Sequence, residues 1–527
     1  MIYDFNRAEC PDPAHSDVCL LGAGAAGIAL AVQMASAGFR VTVLEGGGRF
    51  LEGRSQDIYR SENAGLPHAG VNTGRFRTLG GSTTEWGGQM LELDEEDFRS
   101  REWVPGSGWP FPKSALRAEY ARALDFAGLR RAESDDQAIW AALRKQPPDL
   151  SPELYMAFSR WCPERDFAKL HWPMLSASRK IAVFCHANAT GFVLNEGRTA
   201  ILATRISSFS NRRATVKADY FVLCMGGIES TRFLLQPAMN GLLPWQTNGI
   251  VGRYFQDHVC CNGIRLRSLR TQPAHKWFGH VSSQGFTYHN KVRLAAAQQA
   301  AHRTLNVTGT INLFTKQNEK RDLAFQALRR AWKGGSEISF ADSIRTALYL
   351  PSIVRAGLSR RLRKEPPPWK KIMLSVHTEQ SPLSSSTITL SGERDELGML
   401  RTQLDWRISD AEIHTIRTYV KICESVFRRH AFASLDVPAG FYEDDHELRR
   451  MCVDSNHHMG STRMSISAEH GVVNPDLRLH GIANGYVCSS SVFPSSGFSN
   501  PTHTLLALAM RLSSLLVAKL ADKSVAC

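Results

Sequence analysis

The sequence predicts an α/β fold, α+β overall: one domain on a parallel sheet, gathered from discontinuous segments, and a second lobe built on an antiparallel sheet and helices. Three observations predict it. A strand, a glycine turn, a helix and a second strand follow one another over residues 17–45. A strand–glycine–helix unit returns far along the chain at 222–235. Runs of alternating hydrophobicity at 387–390 and 400–406 then read as strands of a second, antiparallel sheet.

In the first unit, a short apolar run at 17–21 ends in Gly22-Ala23-Gly24-Ala25-Ala26-Gly27, and apolar residues continue at helical spacing through Ile28, Ala31, Val32 and Ala35. Gly22 makes the tight turn, Gly24 admits a pyrophosphate to the backbone, and Gly27 lets the helix pack closely. The helix start then presents unpaired N–H groups to the phosphates. A second strand ends at Glu45, 23 residues beyond Gly22, where an acid accepts hydrogen bonds from ribose hydroxyls. This is the Rossmann-type dinucleotide fingerprint, open at this point between NAD and FAD. The Gly226-Gly227 pair in the 222–235 unit marks a later strand of the same sheet. Residues 113–129 and 321–332 read as amphipathic helices. Ser409 and Glu412 form a capping box ahead of a helix whose Ile413, Ile416, Val420, Cys423 and Phe427 share one face.

The 527 residues leave room for two to four domains, and 43% hydrophobic with 21% charged residues excludes a largely disordered or fibrous chain. The first sixteen residues carry acids, prolines and a single Arg, without a basic stretch and apolar core, so a cytoplasmic protein is expected. Charges interrupt each apolar stretch, and no transmembrane helix is expected. Eleven cysteines without a C-x-x-C pair point to reduced, mostly buried thiols, with no disulfide framework, structural zinc or c-type haem. The net charge of +13 is local: residues 316–371 hold 14 Lys or Arg against 5 Asp or Glu. No recognition motif accompanies them, so no nucleic-acid partner is expected.

A second glycine-rich element, from Arg77 through Gly80-Gly81-Ser82-Thr83-Thr84-Glu85-Trp86-Gly87-Gly88, stands where an NAD enzyme would place another βαβ unit. Near the C-terminus come Asn456-His457-His458-Met459-Gly460-Ser461-Thr462, then Ser499-Asn500-Pro501-Thr502-His503 and an apolar helix. With the first fingerprint, the 252–258 motif Gly-Arg-Tyr-Phe-Gln-Asp-His and Glu379-Gln380-x-Pro382, the chain resembles the glucose-methanol-choline (GMC) oxidoreductases over nearly its whole length. The Thr84-Glu85-Trp86-Gly87-Gly88 loop and the Asn-Pro-Thr ending are most similar to the pyranose oxidase and sugar dehydrogenase branch.

That resemblance implies bound FAD and oxidation of an alcohol. His457, three residues before Gly460, matches the family's general base, with His458 as the alternative if the alignment slips by one. A neutral imidazole takes a hydroxyl proton near working pH. Asn500 matches the second active-site position, where an amide orients the alcohol and stabilises developing alkoxide. Asn before Pro501 is also a helix start signal, and both roles can coexist. The resemblance places cofactor contacts at Gly22, Gly24, Ala25, Ala26, Gly27, Glu45, Gly46, Arg77, Gly80, Gly81, Ser82, Glu85, Trp86, Gly87, Gly226, Ser490, Pro501 and Thr502. His503 is expected to pack, and no metal is expected. Two departures matter. Glu85 replaces the histidine through which some pyranose oxidases attach FAD, so the FAD is expected to be non-covalent. Ser489 replaces an Asp of the family, removing one polar contact beside the flavin.

The expected division is 1–112, 163–261 and 446–527 for the FAD-binding domain, with 113–162 and 262–445 for the substrate-binding domain and a basic insertion at 316–371. The implied substrate is a small alcohol, a sugar, glycoside or polyol. The electron acceptor is open among oxygen, a quinone and a redox protein, and Gly87 favours a dehydrogenase. A non-redox FAD relative such as a lyase, an NAD dehydrogenase, and a membrane-surface protein with a degenerate flavin site are the rivals. Arg345, Arg355 and Arg360 beside Leu348, Ile353 and Leu358 suggest peripheral contact with an anionic membrane through 316–371.

Overall fold

The computed structural model describes residues 1–237, 248–268, 277–314, 348, 351 and 371–525. Six strands form a parallel sheet in the order Ile2–Asp4, Ile181–Cys185, Val41–Leu44, Ser16–Leu21, Ala218–Leu223 and Gly485–Val487. All four residues of Val41–Leu44 are buried, as a strand covered on both faces requires. The strands come from widely separated stretches because a parallel neighbour needs a crossover, and here the crossovers carry the second lobe.

Helix Ala25–Ser36 leaves the sheet between Ser16–Leu21 and Val41–Leu44 and has no side-chain cap at its start. It packs against Thr502–Val525, which also packs against Arg117–Phe126. Within Thr502–Lys523 lies the one stretch among the described residues long and apolar enough to cross a membrane, where charge spacing had predicted none. Its Leu506, Leu508, Met510, Leu512 and Leu516 are buried in the same core as the parallel sheet. The 113–129 segment forms a 3-10 turn at Lys113–Leu116 and the helix Arg117–Phe126, and its Leu116, Tyr120, Ala123 and Phe126 join that core.

The second lobe is a nine-stranded sheet whose central strands Val259–Ser268, Lys371–Thr378, Val307–Phe314, Phe286–Leu294 and Leu154–Trp161 pair antiparallel. Helix Asp410–Arg429 covers one face, burying Ile413, Ile416, Val420 and Cys423 against Val292, Ile311, Leu374 and Val376. Its capping box forms as the spacing predicts: Ala411 N–H donates to Ser409 Oγ (3.1 Å) and Ser409 N–H to Glu412 Oε2 (2.6 Å).

The two alternating runs are the antiparallel strands Thr387–Arg394 and Leu400–Asp405, joined by Ser61–Asn63 in a separate three-stranded sheet. Alternation identifies a strand but does not name its partner, and the large sheet is made of other segments. The helix expected at 321–332 and nearly all of the basic segment lie outside the described residues. All ten described cysteines are free, eight of them buried.

Candidate active site

The cradle is built by the two glycine elements together. Gly22 has φ +107°, and a Cβ there would come 2.6 Å from the Cys224 carbonyl oxygen on the neighbouring strand. A Cβ on Gly27 would overlap the Gly22 carbonyl oxygen. Only glycine lets strand, turn and helix meet here, and the N–H groups at the uncapped helix start remain free for phosphate oxygens. The second element docks directly on this turn, with Gly80 N–H donating to the Ala23 carbonyl at 2.9 Å. Such a cradle fits the pyrophosphate of a dinucleotide.

Around it, the predicted cofactor residues divide into two groups. Gly24, Ala25, Ala26, Gly80 and Gly81 line the turn and its lid, and Gly226, at φ +79°, has no atom within 4 Å of a Cβ position. Others are already engaged by protein. Glu45 Oε2 accepts from Ala23 N–H (2.9 Å) and Oε1 from Gly47 N–H (2.8 Å); burial raises its carboxyl, opposed by those donors and by Arg77. Each oxygen keeps a lone pair for a hydroxyl donor. The Arg77 guanidinium lies over Gly46 and is held by Asn188 and Glu229. Trp86 Nε1 donates to Arg165 O (2.7 Å), and its ring packs edge-on to Phe167. Ser82 and Gly87 are exposed, while Glu85 is half-buried.

The catalytic candidates converge from three separate segments. Asn500 Nδ2 lies 2.9 Å from His457 Nε2, and His457 Nδ1 lies 2.8 Å from His258 Nδ1. An amide nitrogen only donates, so His457 Nε2 is the acceptor, its proton sits on Nδ1, and that N–H donates to His258 Nδ1. The pattern assigns the Nε2 lone pair of His457 to the side where Asn500 stands. Part of His457 stays open to solvent. Burial still holds its pKa well below the usual range, with His258, His377 and Lys291 adding to the effect. It is a neutral imidazole at neutral pH.

Asn500 is not the helix cap. The first intrahelical bond runs from Leu505 N–H to the Pro501 carbonyl (2.8 Å), so Asn500 stands one residue outside and its amide is free to face His457. Pro501 and Thr502 open the final helix beside this pair. His503 packs as expected, bonded to the Tyr120 carbonyl (3.1 Å) and edge-on to its ring, with burial lowering its pKa to about 4.

His458 points the other way, into a buried group with His68 and Asp257. Its carbonyl is held by Ser490 Oγ (2.6 Å), and a Cβ on Gly227 would lie 2.5 Å from that oxygen, which fixes Ser490 and the 226–235 helix as supports of this loop. Asp257 Oδ1 accepts His457 N–H (2.9 Å) and Oδ2 lies 3.0 Å from His68 Nε2. His68 Nδ1 accepts Val71 N–H (3.0 Å), so His68 carries its proton on Nε2 and gives it to Asp257. Although His68, Asp257 and His458 offer atoms within 4.8 Å of one another, His68 has no lone pair left for a cation. Burial and His68 hold the His458 pKa far below normal. Ser489 meets Ser491 Oγ at 2.7 Å, and Ser491 takes the Thr462 hydroxyl at 2.6 Å.

Sequence reading missed His258, His68 and Asp257 as supports of this site. His258 and Asp257 stand in the 252–258 motif, and that motif was the available signal; His68 has no local signature.

A dinucleotide cradle, an antiparallel lobe and a histidine–amide pair come together in this chain. Residues 382–509 match the family model described as GMC oxidoreductase; that region belongs to the GMC oxidoreductases, and the whole chain has their fold. The chain is 21% identical, over 96% of its own length and 96% of the relative's, to a 2-methyl-1,2-propanediol dehydrogenase from Mycolicibacterium austroafricanum. Its fold is similar to pyridoxine 4-oxidase from Mesorbium loti (16% identity, 95% of this chain and 98% of that one, TM-score 0.59). It is also similar to a fungal aryl-alcohol oxidase (14%, 96% and 100%, 0.57) and to the formate oxidase of Aspergillus oryzae RIB40 (16%, 97% and 100%, 0.55).

Proposed function

We propose that this protein is an FAD-dependent oxidoreductase that oxidises a CH–OH group, with a sugar or polyol as substrate and His457 as the general base. The observation that carries the reading is the His457–Asn500 contact, which puts an unprotonated imidazole nitrogen and an amide donor side by side. The names of the relatives, a diol dehydrogenase and an aryl-alcohol oxidase among them, support alcohol chemistry. The 80–88 loop and the Asn500-Pro501-Thr502 ending support the sugar branch.

The chain's own residues divide the work. The substrate oxygen replaces His457 Nε2 as acceptor of the Asn500 Nδ2 hydrogen bond, which keeps the hydroxyl oriented, and the Nε2 lone pair released in this way takes the hydroxyl proton. The Nδ1–H of His457 then stabilises the cation through His258, while Asp257 and the Ser490 hydroxyl hold the loop in place. FAD, when bound in the cradle, supplies the acceptor for the hydride that leaves the same carbon. We infer non-covalent attachment, because Glu85 stands where a linking histidine is found in some relatives. The electrons pass on to oxygen, a quinone or a redox protein, and Gly87 beside Trp86 favours a dehydrogenase.

The test is the spectrum of the purified protein followed by a dye-reduction screen over sugars and polyols. Yellow protein bleached by one of these alcohols supports the reading; a colourless protein turning over with a nicotinamide overturns it.

A further inference from the structure

Strand Phe286–Leu294 turns its Val292 and Leu294 into the core under helix Asp410–Arg429. Period-2 alternation therefore puts His289, Lys291 and Arg293 on the opposite face. There Lys291 Nζ donates to Thr310 Oγ1 on the next strand at 3.3 Å. The same face continues through Ser375 and His377, and His377 Nε2 lies 3.7 Å from Cys260 Sγ on the strand beyond. Two residues before Cys260 stands His258, in contact with His457. One polar floor thus runs across four strands from Lys291 to the base.

Lys291 is 8% exposed, and among the described residues no carboxylate pairs with it. Several other buried cations are matched by carboxylates, Arg293 with Asp94, Arg101 with Glu379 at 2.6 Å and Arg232 with Asp395, while Arg75 and Arg160 are each held by two backbone carbonyls; the one side-chain bond given for Lys291 is to a hydroxyl. The groups that feel Lys291 are His258, His289, His377 and His457, all with lowered pKa and so neutral, and the Cys260 thiol. None of them supplies a negative charge. Burial lowers the ammonium only to about 8, so it is still mainly charged at pH 7. A buried charge without a counter-charge is costly, and groups perturbed by burial in this way concentrate at functional sites.

We propose that the counter-charge arrives with the substrate: Lys291 binds an anionic group, a carboxylate or phosphate, on the hydroxyl compound that His457 oxidises. This rests on the function proposed above and narrows it from sugars and polyols to their acids or phosphate esters. It also suits the chemistry, since an anion near Lys291 relieves the like-charge repulsion that opposes protonation of His457.

The experiment compares glucose, gluconate and glucose 6-phosphate as reductants of the yellow protein, and as ligands in thermal melts under anaerobic conditions. The expected result is a kcat/KM roughly tenfold or more higher for one of the two anions than for glucose, carried mainly by KM, and a raised Tm with that anion only. The preferred arm distinguishes carboxylate from phosphate. Lys291→Met should bring the ratio to near one and abolish the Tm shift, while Lys291→Arg keeps both. Equal kcat/KM for glucose and both anions, or an anion preference that survives in Lys291→Met, overturns the proposal and leaves the oxidoreductase reading standing. A Lys291-dependent Tm shift with no flavin reduction by any alcohol supports the anion site and removes that reading.

Discussion

His258 and His457 meet nitrogen to nitrogen, Nδ1 to Nδ1, at 2.8 Å. A carboxylate in the place of His258 would draw the proton of a cationic His457 strongly; a neutral imidazole supports it only through one hydrogen bond. This contact orients the ring and fixes its tautomer, so His258 is a positioning residue. His258→Ala should slow flavin reduction about tenfold to a hundredfold, the scale of a misaligned reacting group. His258→Asn should recover most of the rate, because an amide oxygen also accepts the Nδ1–H. Equal losses in the two variants, measured by stopped-flow reduction, would reduce His258 to a packing role.

Removal of the base itself should cost more. His457→Ala is expected to lose substrate-driven reduction by ~10²–10⁴-fold with FAD still bound. His458→Ala should instead lower thermal stability, since its ring fills the pocket beside His68 and Phe255. The reverse outcome, with reduction lost in His458→Ala and kept in His457→Ala, would transfer the role.

The pH profile follows from the direction of the His457 shift. The base must be neutral, and its pKa lies below the ordinary histidine value of about 6.5. The rate of reduction by a neutral alcohol should therefore not fall on acidification until the pH is below that value, and stay level from there to neutrality. An acid limb with its midpoint at or above 6.5 would contradict the burial argument.

The cradle makes a prediction independent of turnover. Gly27→Ala introduces a Cβ that overlaps the Gly22 carbonyl oxygen, both of them backbone-held. The variant should be purified colourless or with sub-stoichiometric flavin, read as the ratio of visible to ultraviolet absorbance. A fully yellow variant would show that helix and turn can separate without harm to the site.

Non-covalent attachment is checked by acid precipitation, which should release the yellow colour into the supernatant. Colour retained in the pellet would point to a covalent link through a residue other than Glu85.

Much of this protein is legible in local chemistry. The glycines at 22 and 27, the capping box at Ser409 and Glu412, and the candidate pair His457 and Asn500 all depend on spacing within a few residues or on a motif; the folded chain forms the turn and the capping box and brings the two candidates into contact. Tertiary structure alone decided the rest. Asn500 is no cap, because Pro501 supplies the first helical carbonyl and frees the amide. The strands at 387–394 and 400–405 build a small sheet with Ser61–Asn63, since alternation specifies a buried face but not a partner. Lys291 reads in sequence as one more basic residue; that it is buried and bonded to the Thr310 hydroxyl, with no described carboxylate in an ion pair with it, exists only once the strands are laid side by side. The state of His457 is decided the same way, because a tautomer depends on what stands opposite each nitrogen, and His258 and Asn500 reach it from 199 and 43 residues away.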